Sequence, residues 1–236
     1  MSVRRCLLFS AFVFVLLSAW ALASAQQTSR YFLAAGERWE VGVWGGEAFG
    51  KTASQTFGES QITMAGFRAG HVIYQSPDGS EHRRSLAYTI ELQPLFFVTR
   101  PQTVYGGGFS PVGLQWNFAP RGHGRFRPYL EFHGGGMFTQ KNVPPGRTDT
   151  FNFTISTGPG VMIALKPKQA LSVSLDYWHL SNASLGHDNP AFNTIELVVG
   201  YHWLVGKGAG HRQARSPQPG EARPSARTGH PAIDAQ

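Results

Sequence analysis

Apolar residues recur at every second position through most of this chain, and no other feature restricts its fold so tightly. In RWEVGVWGGEA, Trp39, Val41 and Val43 take one parity while Glu40, Gly42 and Trp44 take the other. LAYTIELQPLFFV sets Leu86, Tyr88, Ile90 and Leu92 against Ala87, Thr89, Glu91 and Gln93, and VGLQWNF sets Leu114, Trp116 and Phe118 against Gly113, Gln115 and Asn117. In RPYLEFHGGGMF the series Leu130, Phe132, Phe138 opposes Tyr129, Glu131, His133. FNFTISTGPGVMIAL, ALSVSLDYWHLSN and NTIELVVGYHW repeat the alternation, with Leu171, Val173, Leu175 and Tyr177 opposite Ser172, Ser174, Asp176 and Trp178 in the second of these. Period two belongs to a β-strand whose faces meet different surroundings. SQITMAGFRAGHVIYQ is less regular, with apolar residues on both parities. About eight strands of about 9–11 residues are expected, the length that crosses a bilayer when tilted.

The ends of the chain read differently. MSVRRCLLFSAFVFVLLSAWALASAQQ has a basic start at Arg4 and Arg5, an apolar stretch from Leu7 to Leu22, and a small-x-small pattern at Ala23-Ser24-Ala25. That is the pattern of a secretory signal peptide, expected to span 1–25 and to be removed. The single cysteine, Cys6, leaves with it, so disulfides, a thiolate nucleophile and a cysteine-based metal site are not expected. Residues 206–236 are rich in Pro, Gly, Ala and Arg without apolar periodicity, and are expected to be a disordered basic tail. The formal charge of +7 falls to +5 without Arg4 and Arg5, and the tail carries +3 of that. The basic balance is therefore no sign of nucleic-acid binding.

Residues 26–205 are left as one domain, and alternating strands allow two architectures. A soluble β-sandwich or barrel turns its apolar face to a core. A membrane barrel turns that face to lipid and keeps polar or small residues in its lumen. Here the second face mixes Gly, Ser, Thr, Asn, Glu and Asp, which suits a narrow polar lumen. Trp39, Tyr74, Tyr177, Tyr201 and Trp203 sit near strand ends, where interfacial aromatics belong. The expected fold is all-β: an eight-stranded antiparallel transmembrane β-barrel in the bacterial outer membrane, whose closure leaves no open edge in lipid. Against this, such barrels ordinarily finish on an aromatic residue, whereas Trp203 is followed by the tail.

Parity also locates a candidate site in YWHLSNASLGHDNPAFNTIE. His179 and Ser181 continue the outward series ending at Tyr177, and Asn193 shares the outward parity of Ile195 and Leu197. Same-face neighbours along a strand lie about 6.5–7 Å apart, and adjacent strands about 4.8 Å apart, so the three side chains are within reach of one another. Glu196, the tempting acid, has the opposite parity. A polar His-Ser-Asn group on an apolar exterior suits ester hydrolysis of a lipid: a Ser attacks an acyl carbonyl, a His takes its proton, and a third group holds the ring. H-x-S matches are also common by chance, and two stray polar residues are the alternative.

The stretch HLSNAS…NPAFN is similar to the His-x-Ser-Asn-Ala-Gly and Asn-Pro-Gly-Ile-Asn signature of the PagL-type lipid A 3-O-deacylases and related acyloxyacyl hydrolases. YTIELQPLF, GLQWNF, RPYLEFHGGG and FNFTISTGPGV resemble the corresponding strands, so the resemblance spans most of Arg38 to Trp203. It implies an eight-stranded outer-membrane barrel that removes an ester-linked acyl chain from lipid A, with the site on its exterior. Under this resemblance Ser181 matches the nucleophile, His179 the general base, and Asn182 an oxyanion-site residue. Two positions depart from the family pattern. Asn193 stands where characterised deacylases have a Glu, and Ser184 stands where the motif has a Gly whose backbone N–H helps hold the oxyanion. Asp188 is a less favoured source of the missing carboxylate.

The expected function is thus an outer-membrane lipid A deacylase with lipopolysaccharide as substrate, no cofactor, no metal and no nucleic-acid partner. A homodimer is left open. The rival reading is a non-catalytic barrel with a structural or surface-interaction role. His71, His133 and His202 lack metal-ligand spacing and are read as structural or lumenal. Gly106-Gly107-Gly108 and Gly134-Gly135-Gly136 lack the helix and Lys of a phosphate loop and are read as turn and close-packing glycines. Arg121, Arg125 and Arg127 are read as loop charges, solvated or facing lipopolysaccharide phosphates.

Overall fold

The computed structural model describes residues 38–50, 60–76, 84–99, 102–121, 125–166 and 168–205. The expected signal peptide (1–25), residues 26–37 and the expected tail (206–236) lie outside the described residues. Eight strands form one closed barrel: β1 (Trp39–Gly50), β2 (Ser60–Gln75), β3 (Ser85–Val98), β4 (Val104–Asn117), β5 (Phe126–Thr139), β6 (Phe151–Lys166), β7 (Gln169–Ser181) and β8 (Phe192–Val205). Each strand pairs antiparallel with its sequence neighbours, and β1 closes on β8 in register from Trp39↔Val205 to Phe49↔Ile195.

The strands run to 12–16 residues, longer than the periodicity suggests. A 14-residue strand tilted by about 40° rises about 35 Å, against an apolar band of about 25 Å, so the strands outrun the hydrocarbon layer. Part of the extra length comes from the two glycine triplets, which lie inside β4 and β5 rather than in turns. Glycine has no side chain to mark a face and so leaves no periodic signal. Its packing role holds: a Cβ on Gly135 would strike the Phe109 carbonyl of β4.

Burial alternates along most of each strand as the parity requires, and breaks at the glycine triplets and register shifts of β2 to β5. Trp39, Val41, Val43, Tyr88, Ile90, Leu114, Trp116, Leu130, Leu175 and Leu197 all lie on the exposed outer face. A face this apolar has no place in water and matches the lipid-facing band of a membrane barrel. Trp39, Tyr74, Trp116, Phe126 and Trp203 cluster at the end where β1 starts and β8 finishes, while Tyr105, Phe138 and Tyr177 lie toward the other. Of the expected interfacial aromatics, Trp39, Tyr74 and Trp203 lie at the first end with Tyr201 packed on Trp203, and Tyr177 lies toward the second. His71 packs its ring 4.4 Å from that of Trp39, a structural role on the outer face.

The lumen is layered rather than uniformly polar, which departs from the strand pattern. At the end carrying the β7–β8 connection it is plugged by buried Ile62, Met64, Phe96, Met137, Trp178 and Phe192. This plug explains the mixed parity of β2, whose inward positions begin with Ile62 and Met64 before changing to Gly66 and Arg68. A register shift between Gln93 and Phe96 turns Phe96 and Val98 inward to join it, since a bulge re-aims the following residues. Val143, from the β5–β6 connection, covers the plug.

Below the plug lies a charged layer. Arg68 donates from Nε to Glu91 Oε1 at 2.7 Å and from Nη2 to Glu131 Oε2 at 2.9 Å. His133 Nε2 lies 3.1 Å from Glu131 Oε2, and Arg68 Nη1 lies 3.4 Å from Gln115 Oε1. At the far end Tyr129 and Met162 form a second small apolar cluster, and His202 Nδ1 lies 2.7 Å from Glu40 Oε1. His133 and His202 thus serve lumenal networks. Arg127 departs from its sequence reading: it is buried within β5 rather than solvated in a loop, because its inward parity matches that of Tyr129 and Glu131.

Candidate active site

The outward parity of β7 carries past Tyr177 to His179 and Ser181, where the strand ends. The β8 strand begins at Phe192, and the pairing sets Asn193 directly across from His179. Three residues predicted from parity therefore meet on one outer surface, at the plugged end of the barrel. Glu196 is buried in the lumen beside Asp176, its cross-strand partner, and takes no part.

The hydrogen bonds form a chain. His179 Nδ1 lies 2.7 Å from Asn193 Oδ1, and His179 Nε2 lies 3.1 Å from Ser181 Oγ. An amide oxygen only accepts, so Nδ1 must carry the proton and donate it to Oδ1. The unprotonated Nε2 then accepts from the Ser181 hydroxyl. That is the tautomer a general base needs to deprotonate a serine. Ser181 and His179 are half-buried, so both are reachable from outside the barrel while their polar atoms remain mutually satisfied.

Sequence reasoning misses a fourth member. The Tyr177 hydroxyl donates to Asn193 Oδ1 at 2.7 Å, sharing the oxygen that accepts from His179. Its place near a strand end makes Tyr177 read as a girdle aromatic alone. Its parity with His179 and its position one step from Asn193 along the ladder are the available signals, because diagonal neighbours across an antiparallel pair are within reach of long side chains.

The turn after Ser181 is held by Asn182, which is fully buried. Asn182 Oδ1 accepts the Ser184 N–H at 2.9 Å, and Nδ2 donates to the Asp188 carbonyl at 2.9 Å. The Asn182 N–H donates to Asn189 Oδ1 at 3.1 Å. Ala183 and Ser184 both take left-handed backbone conformations, φ 49° and 65°. Such values are uncommon away from glycine, and two in succession beside Ser181 mark a strained turn. The β5–β6 connection buttresses it, with the Asp188 N–H donating to the Arg147 carbonyl at 3.0 Å. The Asp188 carboxylate itself pairs with His187 at 2.7 Å rather than with His179.

No cluster of metal-ligating side chains occurs among the described residues. Arg121 and Arg125 lie in the β4–β5 connection, at the opposite end of the barrel from Ser181. They are not brought to the site.

The chain matches the family model described as Lipid A 3-O-deacylase (PagL) over residues 17–202. Among solved structures, the outer membrane enzyme PagL is similar at 16% identity, covering 70% of this chain and 99% of that one, with a TM-score of 0.46. Neisserial surface protein A is similar at 14% identity, covering 72% of this chain and 99% of that one, with a TM-score of 0.45. No curated protein matches. Family assignment rests on the first of these findings, which spans most of the 236 residues. This outer-membrane barrel belongs to the PagL family of lipid A 3-O-deacylases.

Proposed function

We propose that this protein hydrolyses an ester-linked acyl chain of lipid A, using Ser181 as nucleophile, His179 as general base and Asn193 as the group that orients the imidazole. The observation that carries this reading is the continuous chain from Ser181 Oγ through His179 to Asn193 Oδ1 on the lipid-facing surface. Substrate held in the membrane arrives sideways, so a site on the outer face needs no channel.

In the reaction Ser181 Oγ forms a bond to the acyl carbonyl carbon while His179 Nε2 takes the hydroxyl proton. Collapse of the tetrahedral intermediate breaks the bond between that carbon and the sugar oxygen, which leaves with the proton from Nε2. Water then attacks the acyl-serine. Its proton goes to Nε2 and returns to Ser181 Oγ as the fatty acid departs. Asn193 keeps the ring aligned throughout but, being neutral, does not stabilise the imidazolium as a carboxylate does.

Asn182 and Ser184 support the oxyanion from the turn. Asn182 is buried and acts by shaping the turn, its Oδ1 holding the Ser184 N–H and its Nδ2 the Asp188 carbonyl. The Ser184 N–H already serves Asn182 Oδ1 and must be shared.

Purified protein in detergent, mixed with lipid A and followed by mass spectrometry, tests the reading. Loss of one hydroxyacyl chain that requires both Ser181 and His179 is the expected result. A folded barrel that leaves lipid A intact returns the choice to a non-catalytic surface protein.

A further inference from the structure

A carboxylate facing a histidine offers two equivalent oxygens, whereas the side-chain amide of an asparagine does not. Asn193 therefore has two distinct orientations where the two oxygens of a Glu would be interchangeable. With Oδ1 toward His179, as observed, the imidazole carries its proton on Nδ1 and Nε2 is free to take the Ser181 proton. With Nδ2 toward His179, Nδ1 must accept, the proton moves to Nε2, and the ring can no longer act as base. Replacing the acid by an amide thus introduces an unproductive state that the acid lacks.

The Tyr177 hydroxyl lies 2.7 Å from the same Oδ1. A phenol is a better donor than acceptor, because its oxygen lone pair is drawn into the ring. Facing Asn193, it favours the orientation that presents an oxygen over the one that presents N–H groups. We propose that Tyr177 is a positioning residue: its hydroxyl selects the productive amide orientation of Asn193 and, through it, the Nδ1-protonated tautomer of His179. This inference rests on the catalytic reading of Ser181 and His179, and it adds a residue that compensates for the missing carboxylate.

The test is a cycle in the full-length protein: parent, Tyr177→Phe, Asn193→Glu and the double variant. Turnover of lipid A is measured together with the imidazole 15N shifts of protein labelled at histidine, the His179 signals being identified by their loss in His179→Gln. Tyr177→Phe removes one oxygen from a side chain on the outer face and keeps the ring, so the fold is retained. In the Asn193 background it is expected to lower kcat on the order of fivefold to tenfold, the weight of one neutral hydrogen bond, with KM little changed. The Nε2 signal should move toward the protonated position. In the Asn193→Glu background, where no orientation is to be chosen, the same change should cost less than about twofold. Equal losses in the two backgrounds, or an unchanged tautomer population in Tyr177→Phe, would overturn the proposal. If Ser181→Ala turns over lipid A as fast as the parent, the catalytic reading fails instead, and the 15N shifts still decide the role of Tyr177.

Discussion

Replacing Arg68 by Met separates the lumenal and lipid-facing assignments of the strands by the sign of its effect. In the structure Arg68 is buried inside the barrel and donates to Glu91 at 2.7 Å and Glu131 at 2.9 Å. Asp176 and Glu196 lie in the same lumen. Removing the guanidinium leaves these carboxylates facing one another without it, and breaking one side of a buried ion pair costs about 3–5 kcal/mol. A second route gives a similar size: two charge-assisted hydrogen bonds at about 1.5–3 kcal/mol each. If the parity were reversed, Arg68 would lie in lipid, where an Arg near the midplane costs about 2–4 kcal/mol, and Met would stabilise by that amount. Reversible urea unfolding in phospholipid vesicles, followed by tryptophan fluorescence, reads the difference. The parity is upheld by a loss of about 3–5 kcal/mol that is partly restored when Glu131→Gln is added. A neutral or stabilising result would refute the lumenal placement of Arg68 and, with it, the outward placement of His179 and Ser181. Activity per folded molecule should be unchanged, because Arg68 and Ser181 lie on opposite sides of the barrel wall.

Other substitutions probe the wall and the site separately. Leu175→Arg, on the outer face of β7, should destabilise by about 2–4 kcal/mol in the same assay if the residue sits near the midplane. Gly160→Val should cost about 1–3 kcal/mol, because a side chain there would collide with the buried Tyr129 ring; heat-dependent migration in a gel is a rapid readout. Ser184→Gly should relieve a left-handed residue by about 1 kcal/mol and raise turnover modestly, whereas slower turnover would show that the Ser184 side chain itself contributes. Asn182→Ala should lower kcat and destabilise by about 1–3 kcal/mol in the same assay, since it strips the Ser184 N–H and the Asp188 carbonyl of their buried partner.

Strand parity carries far because a barrel wall has only two sides. The series Leu171, Val173, Leu175 and Tyr177 is enough to set His179 and Ser181 outward, and the same counting in β8 separates Asn193 from Glu196. Parity is least informative where residues lack a side chain or where both sides of the wall are apolar. The glycine triplets of β4 and β5 are of the first kind. The start of β2 is of the second, with Ile62 and Met64 facing the lumenal plug while Phe67 faces lipid. Register shifts are also invisible to counting, and the one after Gln93 exchanges the faces of the residues that follow. At the site, the His-Ser-Asn chain is legible because its members share a face. The hydroxyl of Tyr177 and the turn-shaping bonds of Asn182 depend on cross-strand register and on loop geometry that periodicity does not encode.

The central claim is that the outer-surface pair of Ser181 and His179 cleaves an acyl ester of lipid A. Mass spectrometry of lipid A incubated with the refolded protein and with its folded Ser181→Ala variant tests this most directly. The account predicts that the parent releases one hydroxyacyl chain and the variant none. Release by both proteins, or by neither, would contradict it.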